Sequence, residues 1–485
     1  MRDIAPYAVI LLLMAVAILV AIGSGRLAQW IRVPAPALFL VIAAVASNVF
    51  PRLGSLSIVT DQRIVTVALA IILFDGGMHI GWKRMRVAAG AVLWLGIAGT
   101  IVTAGALAYA AHLIFGFDWR TALLVGAALA PTDPAVVFSV LGRREIAGRS
   151  GTLLEGESGA NDPVGIALMV SLLGATGGGW GAAGGALGTF ALQLAVGAAF
   201  GIAGGWLLLQ VMRRVPLPNE ALYPVQTVAF AVLLYGAATA LDGSGFLAVF
   251  LAGILIGDER APYKREIEHF AGALAGLAEI VAFAVLGLSI NLDDVFTGGR
   301  VYTAIGLAAL LVIVIRPVLV GLVLWPIKLA RGERLFVLFS GLKGAVPILL
   351  GTYVIVEGVA HAAEVYNIIF VVVLLSVVVQ GGLVPAAAKL LRVPMRVVEP
   401  EPWALGMRFQ DEPHGLHRYV VARGSPADGC SIRALDVGEN FWVSMVSRRG
   451  QLLQVRGDTE LQAGDEVLAL ADEDQGLDEV FAARK

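Results

Sequence analysis

Between Pro6 and Leu390 the chain reads as one apolar stretch after another, joined by short polar links. A helix needs about 20 apolar residues to cross a bilayer, and about 13 of these stretches are that long or nearly so. Their limits are 6–24, 35–50, 64–81, 88–114, 122–141, 153–175, 187–211, 222–241, 245–257, 271–290, 301–325, 335–356 and 365–390. Residues are 58% hydrophobic and only 15% charged, against about 25% charged in a typical soluble domain. A water-soluble globule is therefore excluded as the main content. The sequence predicts an all-α polytopic membrane protein.

Basic residues test these spans independently. Alternate links carry Arg26 and Arg32, then Lys83, Arg84 and Arg86, then Arg143, Arg144 and Arg149, then Arg213 and Arg214. The series continues with Arg260, Lys264 and Arg265, then Lys328, Arg331 and Arg334, and ends with Lys389, Arg392 and Arg396. The opposite side has only Arg2, Arg52, Arg63, Arg120 and Arg300. The positive-inside rule then places the N-terminus outside (periplasmic), the C-terminus in the cytoplasm, and an odd number of spans between them. The first stretch lacks a clear cleavage site and is expected to remain as a span. The uncharged, glycine-rich segment 174–188 is expected to be a flexible outer loop.

After Arg396 the composition changes. Residues 397–485 hold 9 basic and 16 acidic side chains, no long apolar run and a proline-rich entry. We expect a membrane domain over 1–396 and a small cytoplasmic α+β domain over 397–485. Short apolar runs at 419–422, 441–446, 451–455 and 466–470 are its expected strands, with Arg449-Gly450 as a hairpin signal. The single cysteine, Cys430, excludes an internal disulfide. A net charge of -2 gives a nucleic-acid partner no support.

Charges within the hydrocarbon layer are costly, so each one is a functional candidate. Asp75, Asp133 and Asp162 fall about 17, 17 and 14 Å into their expected spans at 1.5 Å per residue, all near the midplane. Glu157, Glu279, Arg316 and Lys343 complete the set. Five carboxylates thus face two cations, and the surplus must hold a proton, sit in water or bind a cation. Prolines on both sides of Asp133, in Pro131-Thr132-Asp133-Pro134, predict a broken helix, as does Gly341-Leu342-Lys343-Gly344. Paired interruptions of this kind, in matching positions of inverted repeats, point to a transporter's midplane site. Asp133 and Lys343 can then neutralise the half-helix ends. In Glu157-Ser158-Gly159-Ala160-Asn161-Asp162-Pro163, Ser158 and Asp162 share one helical face, and Glu157 and Asn161 the next. One face can coordinate and the other brace. The Asp162, Asp133 and Asp75 carboxylates, the Ser158 hydroxyl and the Thr132 carbonyl are the oxygen ligands on offer to a hard monovalent cation.

These motifs resemble the paired signature of the cation:proton antiporters, in the NhaP and animal sodium/proton exchanger branch. Arg316-Pro317 and Gly341-Leu342-Lys343-Gly344 are similar to that branch's Arg-Pro and Gly-Leu-Arg-Gly segments. The resemblance covers nearly all of residues 6–390. It implies that Asp162 carries the cation and proton, that Asp133, Asp75, Ser158 and Thr132 complete the site, and that Asn161, Glu157, Arg316 and Lys343 support it. Lys343 stands where arginine is usual, and Asp75 where some members have glutamate. Asn161, where electrogenic relatives have a second aspartate, implies electroneutral one-for-one exchange, and the branch implies a homodimer.

The segment 459–468, with its Leu461-Gln462-Ala463-Gly464-Asp465 turn, resembles a TrkA-C (RCK C-terminal) domain, a module that senses small ligands or dimerises. Exchanger and tail together resemble the bacterial potassium/proton antiporters of the CvrA type. That implies exchange of cytoplasmic potassium, or sodium, for external protons across the inner membrane, serving cation and pH homeostasis. No glycine-rich dinucleotide fingerprint precedes the tail, so no bound NAD or ATP is expected. The competing class is a cation channel gated by the tail, against which no carbonyl-lined filter motif occurs. Neither a Gly-x-Ser-x-Gly elbow nor a His-Glu-x-x-His zinc motif marks an enzyme. Simpler readings stand beside the transport roles: Asp75 as the lining of a hydrated vestibule, Glu157 and Arg316 as a structural ion pair, and Lys343 as a helix-end neutraliser. Glu279 has no assigned partner.

Overall fold

Where the apolar runs become helix, and where they stop, is set by glycine, proline and capping residues. A computed structural model describes residues 34–54, 56–141, 144–146, 149–175, 180–257, 263–295, 300–397, 416–435, 441–448, 451–470 and 478–481. The expected first span, 6–24, and the Arg449-Gly450 turn lie outside them. The chain divides into two compact units, Met1–Val398 and Glu399–Lys485.

In the first unit α1 is Ala35–Val49. Helix α2, Ile58–Leu93, starts at Ser57, whose hydroxyl accepts the Thr60 amide at 3.2 Å. It is interrupted at Gly81, whose φ of 66° only glycine adopts cheaply. A π-helical turn, Trp94–Gly99, continues it into α3, Thr100–Phe115. Next come α4 (Trp119–Leu129), α5 (Ala135–Leu141), α6 (Arg149–Gly174), α7 (Trp180–Arg214), α8 (Leu222–Ala240), α9 (Gly245–Gly257) and α10 (Lys264–Leu288). Helix α11, Arg300–Leu310, runs into a π-helical stretch, Leu311–Val320. It is followed by α12 (Arg331–Phe339), α13 (Ala345–Val356), α14 (Ala362–Leu375) and α15 (Gly381–Leu390). Two short strands, β1 (Arg144–Ile146) and β2 (Met395–Val397), pair antiparallel.

Six helical segments among the described residues are long and apolar enough to cross a membrane, with four shorter apolar helices beside them. Large apolar side chains such as Ile313, Leu322 and Leu187 are exposed on the outside, where lipid rather than water is the natural solvent. Small residues let the inner helices approach. Gly197, Gly201 and Gly205 form one stripe of α7 against Ser244, Ala248 and Ala252 of α9 and its start. Gly77 of α2 lies against Gly253 of α9, where an added Cβ would come within 3.2 Å of the opposite Cα.

One expectation is corrected. Residues 180–188 are the first turns of α7 rather than a loop, because in a nonpolar environment a glycine-rich backbone still satisfies its amides by closing the helix. Helix α2 begins at Ile58, before the expected span limit, so Asp75 lies about 25 Å along it and about 9 Å before the Gly81 break.

The second unit is a four-stranded antiparallel sheet, in the order β3-β6-β4-β5, of β3 (Leu416–Val420), β4 (Trp442–Arg448), β5 (Gln451–Leu453) and β6 (Glu466–Leu470). Tyr419 stacks on Phe481 at 4.6 Å over a core of Val421, Val446, Leu461 and Val467.

Candidate functional site

Two prolines and two glycines open the helices here. Helix α4 ends before Pro131 and α5 restarts after Pro134; α12 ends at Phe339 and α13 restarts after Gly344. Neither extended stretch continues the helical ladder, and the two meet. The Asp133 amide donates to the Leu342 carbonyl at 2.8 Å. Lys343, fully buried, donates from Nζ to the carbonyls of Ala130 and Pro131, each at 2.9 Å. A cation thus sits at the C-terminal end of α4, where the helix dipole is negative. The Lys343 amide in turn donates to Ser376 Oγ at 3.0 Å, and Ser376 donates to Gln380 at 2.9 Å.

The end of α12 is closed in the same way. Buried Arg316 donates from Nε to the Leu338 carbonyl at 2.9 Å and from Nη2 to Val337 at 3.2 Å, while Gln380 donates to Phe339. Nη2 also meets Glu157 Oε1 at 3.1 Å, with both side chains at most 5% exposed. The guanidinium lies over Gly341, where no side chain would fit.

Asp133 caps the restart of its helix: Oδ1 accepts the Ala135 amide at 2.9 Å. The rest of its carboxylate lies over Gly344, in the space a Cβ would fill. Across from it, α6 stays helical through Pro163, whose missing N–H leaves the Gly159 carbonyl without its usual donor. On this helix Asn161 accepts the Thr132 amide at 3.3 Å and donates to Thr132 Oγ1 at 2.7 Å. Thr132, expected to offer a carbonyl to a cation, has its amide and hydroxyl engaged as a brace.

Asp162 is next along the helix, 6% exposed. Its Oδ1 is buried with no hydrogen-bond partner among the described residues. It lies within electrostatic range of the Asp133 carboxyl and the Lys343 ammonium. Ser158 is buried one turn earlier on α6. The structure therefore brings Asp162, Asp133, Thr132, Asn161 and Lys343 together, with Glu157 and Arg316 tied to the neighbouring break. Asp75, on α2, is in contact with His79 at 3.3 Å. Sequence reasoning missed Ser376 and Gln380, though two polar residues four apart in an apolar run were a visible signal.

Residues 14–390 match the family model described as sodium/hydrogen exchanger, transmembrane, and residues 416–483 match the TrkA-C domain. The chain is 34% identical over 392 residues to the K(+)/H(+) antiporter NhaP of Alkalimonas amylolytica, covering 79% of this chain and 67% of the relative. It is 31% identical over 474 residues to the K(+)/H(+) antiporter NhaP2 of Shewanella sp. (strain MR-4), covering 95% and 80%. The solved sodium proton antiporter MjNhaP1 from Methanocaldococcus jannaschii has the same fold, with a TM-score of 0.66 at 20% identity over 78% of this chain and 97% of that one.

Proposed function

This chain belongs to the sodium/hydrogen exchanger family as a multi-pass cation:proton antiporter with a TrkA-C tail, and from that premise we propose that it exchanges cytoplasmic potassium for external protons at Asp162. Potassium is supported by the names of the NhaP and NhaP2 relatives and by the tail; sodium is the second candidate. The alternating basic residues support an N-terminus outside and a C-terminus in the cytoplasm, with the inner membrane as its place. Resemblance to the exchanger branch supports a homodimer, and the TrkA-C match supports a small regulatory ligand on the tail. The protein acts by transport, without covalent chemistry.

The observation that carries this reading is the buried, unpartnered Oδ1 of Asp162 beside the meeting of two helix breaks. An ionised carboxylate there is costly unless something compensates it. One proton or one alkali cation serves, but not both together. Each turnover therefore returns one in place of the other as the site opens alternately to the two sides. Asp133 is the second carboxyl facing the ion, Asp75 and Ser158 extend the oxygen-lined route, and Thr132 with Asn161 holds α6 against the break. Glu157, Arg316 and Lys343 secure the helix ends.

In everted vesicles, Asp162→Asn should abolish salt-induced dequenching of a pH-gradient dye while the protein still inserts. Exchange that survives this change would refute the carrier assignment. Running the assay with potassium and with sodium separates the two cations.

A further inference from the structure

One buried acid has no part in the site so far. Glu279 is on α10, with Oε1 closed off from solvent and without a hydrogen-bond partner among the described residues. It lies within electrostatic range of Asp133. Helix α10 runs antiparallel to α2. Near its start Gly272 faces Asp75, whose Oδ1 would be 3.8 Å from an added Cβ. At its end the Leu288 carbonyl would lie 2.9 Å from a Cβ added at Gly54, just before α2.

Gly272, Gly276 and Glu279 are four and three residues apart, on one line of α10. Gly276 itself lies on the exposed face of α10. Beside Gly272, Asp75 Oδ1 is likewise buried and unpartnered. Glu279 is about 10 Å further along α10, which packs on α2 and on α13, the helix that restarts beside Asp133.

We propose that Glu279 is a further ion-holding carboxylate, a waiting position for the transported cation between Asp75 and the Asp133–Asp162 pair. The proposal rests on the antiport reading above. An alkali cation leaving water must find oxygen at each step, and two buried, unpartnered carboxylate oxygens spaced along α10 supply it. Glu279 differs from Asp162 in being a step on the route, so its loss weakens capture of the cation without removing the carrier.

The test is cation-dependent proton flux in everted vesicles, titrated with potassium and with sodium. Glu279→Gln should raise the half-saturating cation concentration about tenfold and leave the maximal rate within about twofold, and Glu279→Asp should restore part of the affinity. Glu279→Asp, which keeps the charge, carries the test if Glu279→Gln fails to insert. Unchanged half-saturation in the inserted variants overturns the proposal, as does a loss of maximal rate alone, the mark of a structural role. If Asp162→Asn kept exchanging, the carrier reading itself would fall. If only the α10 variants behaved like the unmodified chain, this inference alone would fall.

Discussion

At the scale of single residues, the buried charges divide into those that hold the backbone and those left to hold an ion. Arg316 is of the first kind, since its donors go to Glu157 and to two carbonyls. Replacing it with alanine strands a buried carboxylate and frees the end of α12. Removing one partner of a buried pair costs about 3–5 kcal/mol. We expect Arg316→Ala to melt well below the unmodified chain in detergent, followed by fluorescence-detected size exclusion. Adding Glu157→Gln should recover part of the loss, because the stranded charge goes while the open carbonyls remain. A single variant that melts normally would show that the pair does not hold the fold. The residues themselves were legible in the sequence because a charge in an apolar run is rare. The Glu157–Arg316 pair, 159 positions apart, was legible only through the family resemblance, and the backbone carbonyls that Arg316 and Lys343 hold were not legible at all, because no periodicity reports such contacts.

At the scale of elements, the two broken helices share one solution. The first half of each ends against a buried cation, Lys343 for α4 and Arg316 for α12. Prolines and glycines made both breaks readable from sequence, because they act locally on the backbone. The start of α7 was misread for the complementary reason. Glycine lowers helix propensity in water, and in a membrane the demand for internal hydrogen bonds overrides it. In the tail, the strands followed from short apolar runs, and one turn shows how they are locked. Gly464 takes a φ of 91°, which lets Asp465 turn back to accept the Gln462 amide at 2.8 Å and both arms of Arg448 at 2.8 and 2.7 Å. Burial alone would raise the Asp465 carboxyl, but the Arg448 pair and the Gln462 amide together hold it below its usual range. The stabilisation is therefore complete above about pH 4, the unfolded value, and is lost as pH falls through the lowered folded one. Hydrogen exchange of β3 and β6 in the full chain should be faster in Asp465→Asn at pH 7, with the gap closing below about pH 4. A gap that persisted into acid would mean the carboxylate is not the source.

At the scale of the whole molecule, the balance of charge sets what can be transported. Lys343 and Arg316 are committed to helix ends, and Glu157 to Arg316, which leaves Asp162 beside Asp133 with an unpartnered oxygen. Its neighbour Asn161 cannot titrate and is spent on Thr132. A single carrier that trades one proton for one monovalent cation moves no net charge in a full cycle. A membrane potential acts on moved charge with about 2.3 kcal/mol per elementary charge per 100 mV, so a cycle of unequal stoichiometry would change steeply in rate, while a one-for-one cycle has nothing for the field to act on. We therefore expect the initial rate of exchange to be the same with and without a diffusion potential of about 100 mV, imposed by a gradient of permeant anion so that no transported cation is involved. A severalfold response would mean that a second carboxyl titrates within the cycle. Asp133, within electrostatic range of the carrier, and Glu279, within range of Asp133, would be the groups to neutralise next, and the one whose amide variant abolished the response would be the second carrier.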